Sequence, residues 1–457
     1  MASLREGLAA APGKADLRLH GRDRALGFED LATRTGLAEI RAGLAGRCVL
    51  IHTQSQIGAA RAMVELDGLA QRIVICPPDL ADEHLAAVIA NAGADAIVTD
   101  GANPVLDGLG VPVHRLAEPT AKAAPLPAPA RPTEWLLFTS GTTGVPKMVI
   151  HTLAGLTGAI KPCPPGAAPA IWGTFYDIRR YGGLQILLRA LRGPSSLVLS
   201  DPDEPTPAFL ARLREIGVTH QTGTPSHWRW ALMNPELKLI APAYVRLSGE
   251  IADQAVLDGL AAFFPKAAIG HAYASTEAGV GFEVNDGLEG FPASLVGAEG
   301  AEVEMRVTGG VLQIRSARTA TGYAGFDLEL MSPDGFVDTG DMVELRGERY
   351  YWLGRRGGII NVGGLKVNPE EIEAVINRQP GVRMALVRAR KNPITGSVVA
   401  AEVVRSDEAV EIGDPELKAQ ILAGCREALA TYKVPVNLKF VQSLPVTVGG
   451  KLDRNRA

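Results

Sequence analysis

Short apolar runs alternate with segments of helical periodicity over the first quarter of this 457-residue chain. The runs predict buried strands at residues 47–53, 72–76 and 96–99, and the segments between them predict helices at residues 59–71 and 81–91. Because parallel strands need a crossover, usually a helix, this order predicts a parallel sheet with helices on its faces. A second βα pattern fills roughly residues 170–290.

The character of the chain changes after Gly297. Gly, Asp and Pro turns separate short strands predicted at residues 303–307, 311–315, 336–338, 342–345 and 350–353. A final unit of some 100 residues begins near residue 357, where Asn368 and Pro369 predict the cap and first position of an amphipathic helix. The two Ala- and Pro-rich stretches at residues 117–133 and 161–169 predict loops. The chain is therefore predicted to be α/β, with a β-rich subdomain and a small α+β C-terminal unit.

The composition indicates a globular protein. Hydrophobic residues make up 46% and charged residues 21%, and the net charge of −4 offers no basic surface for nucleic acid or an acidic membrane. The cysteines Cys48, Cys76, Cys163 and Cys425 are too far apart for a disulfide framework or a zinc site, which favours free thiols in a reducing compartment. No apolar segment predicts a signal peptide or a membrane span. We expect a cytoplasmic protein.

Residues 139–147 (TSGTTGVPK) follow a predicted strand and form the most informative loop of the chain. Backbone N–H groups, hydroxyl groups and one lysine can bind phosphate oxygens, and glycine lets the backbone approach a ligand. The loop is not a Walker A motif, because Pro146 stands where that motif has glycine. A turn without ligand is the alternative. The candidate phosphate-binding residues are Thr139, Ser140, Gly141, Thr142, Thr143, Gly144 and Lys147.

This loop resembles the signature of the adenylate-forming superfamily, which includes acyl- and aryl-CoA synthetases, nonribosomal-peptide adenylation domains and firefly luciferase. Four more segments resemble the family's later motifs, in the same order. They are residues 272–277 (AYASTE), 338–341 (DTGD), 354–355 with 363–373 (GR, then GGLKVNPEEIE) and 445–451 (PVTVGGK). Ala274 departs from the family pattern, which has glycine there.

The resemblance implies an enzyme that uses ATP to convert a carboxylic acid into an acyl-adenylate. It implies that Tyr273 stacks on adenine, with Gly270, His271 and Ala272 beside the nucleotide. Asp341 would accept hydrogen bonds from the ribose hydroxyl groups, and Arg355 would lie nearby.

The same resemblance assigns the catalytic residues. Thr276 would bind a phosphate oxygen, and Glu277 would hold Mg²⁺, which prefers oxygen ligands. Lys451 would bridge the acid and the α-phosphate as negative charge develops. The alternative for the carboxylates is a solvated surface group, and for Lys451 a charge on a frayed terminus.

Three segments resemble walls of the acid pocket. Asp177 would pair with a substrate ammonium group or with Arg180, and two arginines in this segment could meet a second carboxylate or a phenolate. The aromatic residues would favour a flat or polar acid over a fatty tail, or would pack in the core. The candidate substrate residues are Tyr176, Asp177, Arg180, His227, Trp228, Ser248, Gly249 and Glu250.

In the family a small C-terminal domain rotates about a hinge after the GR pair, which implies domains 1–356 and 357–457. Here Gly357 and Gly358 replace the usual acidic pair. The acceptor of the acyl group is expected to be CoA. The alternatives are a carrier-protein thiol, an amine, or nitrite, with an amino acid or aminoaryl acid as substrate. The expected ligands are thus ATP, Mg²⁺, CoA and a small acid, and a homodimer is left open.

Overall fold

The computed structural model describes residues 2–10, 14–123, 132–139, 146–163, 166, 168–298, 300–392, 396–406, 409, 412–447 and 449–454. Its α-helices are α1 (Leu4–Ala10), α2 (Phe28–Thr33), α3 (Gln56–Leu66), α4 (Leu85–Ala92), α5 (Pro104–Asp107), α6 (Leu153–Thr157), α7 (Tyr181–Arg192), α8 (Thr206–Ile216), α9 (Pro225–Leu232), α10 (Gln254–Phe263), α11 (Pro369–Asn377) and α12 (Asp414–Ala428).

Strands occur along the whole described chain. Those before residue 290 are β1 (Arg18–His20), β2 (Ala25–Gly27), β3 (Arg34–Thr35), β4 (Cys48–Ile51), β5 (Arg72–Ile75), β6 (Ala96–Thr99), β7 (Val113–Arg115), β8 (Ala121–Lys122), β9 (Glu134–Phe138), β10 (Met148–Thr152), β11 (Ala170–Thr174), β12 (Ser195–Leu199), β13 (His220–Gly223), β14 (Tyr244–Ser248), β15 (Ala268–Ser275) and β16 (Gly279–Val284). Those after it are β17 (Phe291–Pro292), β18 (Val303–Thr308), β19 (Val311–Ser316), β20 (Gly322–Ala324), β21 (Val337–Arg346), β22 (Arg349–Arg355), β23 (Ile360–Val362), β24 (Leu365–Val367), β25 (Val382–Asn392), β26 (Gly396–Arg405) and β27 (Asn437–Phe440).

Two large sheets form the N-terminal part. The strand orders are β20-β10-β9-β5-β4-β6-β7 and β16-β15-β14-β13-β11-β12-β1-β2. Strands β9, β5, β4, β6 and β7 run parallel, as do β15, β14, β13, β11, β12 and β1. One hydrophobic core joins residues of both sheets with α3 and α7. The expected α/β architecture is confirmed.

Several helix and strand boundaries differ from the expected ones. Helix α3 begins at Gln56, three residues early, because Ser55 Oγ accepts a hydrogen bond of 2.9 Å from the Gly58 N–H group. The helix ends at Leu66 and the chain turns at Gly68, whose φ is +78°. The two strands expected at residues 336–338 and 342–345 form one strand, β21. The stretch expected to be a loop at residues 117–133 contains β8, which pairs with β3.

A five-stranded sheet in the order β17-β22-β21-β19-β18 forms the expected β-rich subdomain. The C-terminal unit follows it, with a sheet in the order β25-β26-β27 packed against α11 and α12. Its hydrophobic core contains residues from Ile360 to Leu438. Asn368 precedes α11 as expected, but its side chain makes no capping hydrogen bond. The exact domain boundary at residue 357 stays a prediction.

The parallel strands β13, β14 and β15 end at the same edge of their sheet, at Gly223, Ser248 and Ser275. The chain segment that precedes the C-terminus returns to this edge, where Thr224 contacts Gly450. Residues from four distant parts of the chain are thereby brought together. None of the described helices is long and apolar enough to span a bilayer.

Candidate active site

The predicted phosphate loop connects two antiparallel strands. Thr139 donates its backbone N–H to the Lys147 carbonyl oxygen at 3.0 Å, so the two ends of the loop are held together between β9 and β10. The Lys147 ammonium nitrogen lies 5.8 Å from the centre of the Tyr323 ring on β20. The loop residues Ser140, Gly141, Thr142, Thr143 and Gly144 lie outside the described residues.

Thr276 and Glu277 occupy the tight turn between β15 and β16. His151 on β10 contacts the Thr276 carbonyl oxygen through Nε2 at 2.7 Å. Burial lowers the pKa of His151 to about 4, so the ring is neutral and Nε2 carries the proton donated to this carbonyl group. The Glu277 carbonyl group accepts the Ala320 N–H at 2.9 Å. The turn is thus fixed through its backbone, which leaves the two side chains for a ligand.

Asp341 links two other predicted nucleotide residues. Its Oδ2 atom accepts a hydrogen bond of 2.6 Å from the Tyr273 hydroxyl group, and its Oδ1 atom accepts one of 3.0 Å from Arg355 Nε. Burial and then the Asp341 carboxylate raise the pKa of Tyr273 well above its usual value. Burial lowers the pKa of Arg355, but Asp341 and Glu277 outweigh it, and the pKa is raised. Arg355 is therefore a fixed positive charge at the site.

Tyr273 also packs on the β-rich subdomain. Its ring is stacked on the Trp352 ring, with 4.8 Å between the centres and 15° between the planes. Gly270 and Ala272 face one side of β15, whereas His271 faces the other, where its Nε2 lies 3.0 Å from the Leu288 carbonyl oxygen. Contact of these residues with the nucleotide stays a prediction.

Lys451 is held at the site by the tight turn that carries it. Thr447 donates its N–H to the Lys451 carbonyl oxygen at 2.7 Å, and Gly450, with φ of +69°, closes the turn. Thr224 Oγ donates to the Gly450 carbonyl oxygen at 2.6 Å, and the Leu452 N–H donates to Glu250 Oε1 at 2.9 Å. These bonds attach the C-terminal unit to the N-terminal part on both sides of Lys451.

The Lys451 side chain reaches the predicted acid pocket. A Cβ atom added to Gly249 would lie 3.4 Å from Lys451 Cε, so the lysine lies along the Gly249 backbone. Burial lowers the pKa of Lys451, and the Glu250 carboxylate partly offsets this. The pKa of Lys451 is also affected by Arg355, Arg180 and Asp341, so these three side chains lie close to its ammonium group. The lysine is not a frayed terminal charge.

One predicted substrate residue, Asp177, has a structural partner instead. Asp177 accepts hydrogen bonds from Arg179 Nε at 2.9 Å and Arg179 Nη2 at 2.6 Å, and both side chains are buried. The pairing of Asp177 with Arg180, given above as the alternative to a substrate ammonium group, is therefore wrong. Arg180 pairs with Asp79 and still lies close to Lys451. Sequence could not decide between adjacent arginines, whose side chains take different directions after β11.

Trp228 was expected in the pocket wall but is fully buried in the core under the second sheet. Its neighbour His227 does face the site, because its ring lies against Gly450 and fills the place that a side chain there would take. The Thr224 N–H donates to His227 Nδ1 at 3.1 Å, and burial lowers the pKa of His227 to about 4. Tyr176 is buried and donates its hydroxyl proton to the Ser248 carbonyl oxygen at 2.8 Å.

Three charged residues near this pocket were not predicted from the sequence. Arg246 on β14 forms an ion pair with Glu283 on β16, and Arg189 on α7 approaches the same carboxylate at 3.9 Å. The signal was available in the sequence, since Arg246 stands between the apolar residues Val245 and Leu247. His151 was also missed, because its contact with Thr276 joins residues 125 positions apart.

A bound divalent cation would depend on the nucleotide as well as on the protein. Among the described residues no group of three His, Cys, Asp or Glu side chains could hold a metal ion. Mg²⁺ commonly takes one or two carboxylates, with water and substrate phosphates as its other ligands. Glu277, beside Thr276 in a turn fixed by its backbone, fits that pattern.

Two family models match this chain. The model of the AMP-binding enzyme family matches residues 49–324, and that of the AMP-binding enzyme C-terminal domain matches residues 371–451. The first match covers more than half of the chain. The chain belongs to the AMP-binding enzyme family.

Individual relatives are more distant. A 2-succinylbenzoate–CoA ligase of Staphylococcus aureus is 26% identical over 343 residues, which cover 70% of this chain and 66% of that protein. The chain thus spans just under two thirds of the length of the curated relatives it matches.

Two solved structures have the same fold over nearly the whole chain. An anthranilate CoA ligase in complex with anthranoyl-AMP has a TM-score of 0.80 at 18% identity, covering 99% of this chain and 95% of its own. An amide bond synthetase from Marinactinospora thermotolerans has a TM-score of 0.77 at 22% identity, covering 98% and 97%.

Proposed function

We infer that this protein uses ATP to activate an aromatic or small polar carboxylic acid as an acyl-adenylate and then transfers the acyl group to CoA. The observation that carries the proposal is the position of Lys451. Its side chain lies along Gly249 at the end of β14, while Arg355 and Asp341 are near enough to act on its pKa. A buried ammonium group between an acid pocket and a nucleotide site is suited to joining the two substrates.

Each nucleotide-binding role has a physical basis. The loop from Thr139 to Lys147 supplies N–H groups, hydroxyl groups and one ammonium for the β- and γ-phosphates. Asp341 already accepts from Tyr273 and Arg355, but a carboxylate has about four lone-pair positions, so it can also accept from ribose. Thr276 binds a phosphate oxygen. Glu277 would hold Mg²⁺, and the ion would supply positive charge that offsets the phosphate charge.

In the first step an oxygen of the acid's carboxylate attacks the α-phosphorus of ATP. The bond from this phosphorus to the bridging oxygen breaks, and pyrophosphate leaves. Lys451 contacts the acid and the α-phosphate and stabilises the negative charge that develops there. In the second step the CoA sulfur attacks the acyl carbonyl carbon, the thiol proton passes to solvent, and AMP leaves.

We further propose that residues 357–457 move as a unit relative to residues 1–356 between the two steps. A side chain added at Gly357 or Gly358 would meet no atom within 4 Å, so these exposed residues can change conformation without repacking. Polar contacts hold the present arrangement. Arg378 pairs with Glu289, and Asn377 donates to Asp253 at 3.2 Å.

The preference for an aromatic acid draws support from the relatives. Their names give 2-succinylbenzoate and anthranilate as acids joined to CoA. An amino-acid substrate loses its main support, because the Asp177 charge is already balanced by Arg179 in a buried ion pair. Other acceptors, namely a carrier-protein thiol, an amine or nitrite, are outcomes of the test.

The test is pyrophosphate release from ATP over a panel of aromatic, amino and short aliphatic acids, with and without CoA. We expect acid-dependent release, and AMP with acyl-CoA only when CoA is present. Lys451→Ala is expected to lower the rate by about 10²–10³. The matched control is Lys439→Ala, at an exposed lysine of β27. No release with any acid, or full activity in Lys451→Ala, contradicts the proposal.

A further inference from the structure

Arg246, Glu283 and Arg189 form a charged cluster on the sheet face covered by α7. Arg246 and Ser248 lie on the same face of β14, because alternate residues of a strand point the same way. On the neighbouring strand, β15, Arg246 is opposite Gly270 and Ser248 is opposite Ala272, which in turn is opposite Glu283 of β16. Since Gly270 and Ala272 carry at most a methyl group, the Arg246 side chain can cross β15 to reach Glu283.

The cluster carries more positive than negative charge. Arg246 pairs with the Glu283 carboxylate, and Arg189 Nη2 lies 3.9 Å from the same carboxylate. The exposed side-chain fractions of Arg246 and Arg189 are 9% and 24%. Burial lowers the pKa of the neighbouring His220 and raises that of Tyr244, so both are neutral at pH 7. Within the described part of the chain, two guanidinium groups share this one carboxylate.

Both guanidinium groups are held in place by their surroundings. Arg189 lies over the Trp172 ring, 5.5 Å from its centre, and Arg246 is bound to Glu283. An excess charge in a largely buried position is costly unless a counter-ion reaches it. Planar, pre-oriented guanidinium groups bind carboxylates particularly well. The cluster is therefore suited to an anionic group that arrives with a ligand.

The cluster lies behind the proposed reaction centre. Lys451 contacts Gly249, which is three residues after Arg246, or roughly 10 Å along an extended chain. Tyr176 lies beside both, because its hydroxyl group donates to the Ser248 carbonyl oxygen and Arg246 is near enough to act on its pKa. An acid with its reacting carboxylate at Lys451 would direct its remote end toward Arg246.

We propose that Arg246 and Arg189 select acids that carry a second carboxylate at the end remote from the reacting one. The proposal rests on the function proposed above and specifies its substrate class. Glu283 occupies the arginines in the absence of substrate, and the incoming carboxylate shares or replaces it. A long uncharged acyl chain is disfavoured, because it would have to bury against two charged groups.

The test compares matched pairs of acids, such as benzoate with terephthalate and pentanoate with glutarate. For each acid, kcat/KM of pyrophosphate release is measured. In the unmodified protein we expect at least one diacid to exceed its monoacid partner at least tenfold. Arg246→Met and Arg189→Met are each expected to reduce this ratio at least tenfold by lowering kcat/KM for the diacid while retaining that for the monoacid.

Glu283→Gln should raise the ratio of kcat/KM for the diacid to that for the monoacid, because it removes the competing carboxylate. A merely structural ion pair would not give opposite effects in the two types of variant. The control is Arg306→Met, which breaks an arginine pair with Asp334 on the five-stranded sheet and should leave the ratio unchanged.

The outcomes are distinguishable. Monoacids that are activated as well as diacids, or a ratio unaffected by both arginine variants, overturn the inference and leave the proposed function standing. A hydroxyl-bearing acid preferred over every diacid does the same. If no acid releases pyrophosphate, the proposed function fails and the inference fails with it.

Discussion

The side-chain hydroxyl of Thr224 donates a 2.6 Å hydrogen bond to the Gly450 carbonyl oxygen, across 226 positions of sequence. Thr224 also caps α9, where its Oγ accepts the His227 N–H at 3.0 Å. The residue that starts the helix beside the acid pocket therefore also holds the turn that carries Lys451. Packing of the C-terminal unit and organisation of the pocket are connected through one side chain.

Thr224→Val should weaken adenylation more than thioester formation. Valine keeps the shape but removes the hydroxyl group, and an unmatched buried carbonyl group costs about 1–2 kcal/mol, or roughly tenfold in rate. Pyrophosphate release should fall by that factor. Release of AMP from supplied acyl-adenylate and CoA should fall less, because it loses only the α9 cap. Thr224→Ser, which keeps the hydroxyl group, is the control, and equal losses in both half-reactions would contradict this role.

Glu250→Gln should move the alkaline limit of adenylation to lower pH. Burial lowers the pKa of Lys451 and the Glu250 carboxylate opposes that effect. Removing the carboxylate charge lowers the pKa further, so the ammonium form is lost earlier as pH rises. Glutamine still accepts the Leu452 N–H, which keeps the turn in place. The measurement is the pH profile of kcat for pyrophosphate release, and an unshifted alkaline limb would refute the electrostatic coupling.

His151 should make the protein less stable in acid. Burial lowers its folded-state pKa to about 4, below the usual 6.5, so the unfolded chain binds the proton first as pH falls. This contribution to stability is complete above pH 6.5 and is lost as pH falls toward 4. It amounts to about 3 kcal/mol. Urea unfolding should give a smaller loss over this range for His151→Gln. The same slope in both proteins would be evidence against a buried neutral imidazole.

Asp177→Asn should destabilise the fold without selectively affecting amino-acid substrates. Breaking a buried ion pair costs about 3–5 kcal/mol, because it leaves Arg179 with an uncompensated charge. In a double-mutant cycle, Asp177→Asn combined with Arg179→Met should cost less than the sum of the single changes. Normal stability with a specific loss of amino-acid activation would instead assign Asp177 to the substrate.

Much of the architecture could be predicted from local patterns. The strand at residues 96–99 and those near 47–53 and 72–76 were expected because buried parallel strands are short apolar runs. The start of α3 could not be located from periodicity, since it depends on the Ser55 cap. The prediction of two separate strands where β21 lies was wrong. The residues between them, Thr339, Gly340 and Asp341, continue the strand through a local irregularity beside Met342.

The candidate site was likewise predicted only in part. The motif residues Tyr273, Asp341 and Arg355 were expected together and are joined by hydrogen bonds. Partners of the charged pocket residues were not predictable. Arg179 and Arg180 are adjacent in sequence, yet one pairs with Asp177 and the other with Asp79.

The sequence by itself determined the family, the order of the elements and the residues of the signature motifs, because each depends on short segments whose spacing is fixed by the chain. Only the tertiary structure decided which arginine meets which carboxylate, that Trp228 belongs to the core, and that Arg189 and Arg246 share Glu283 behind the pocket. Many side chains of the same charge are available, and the choice among them follows from how segments distant in sequence pack together.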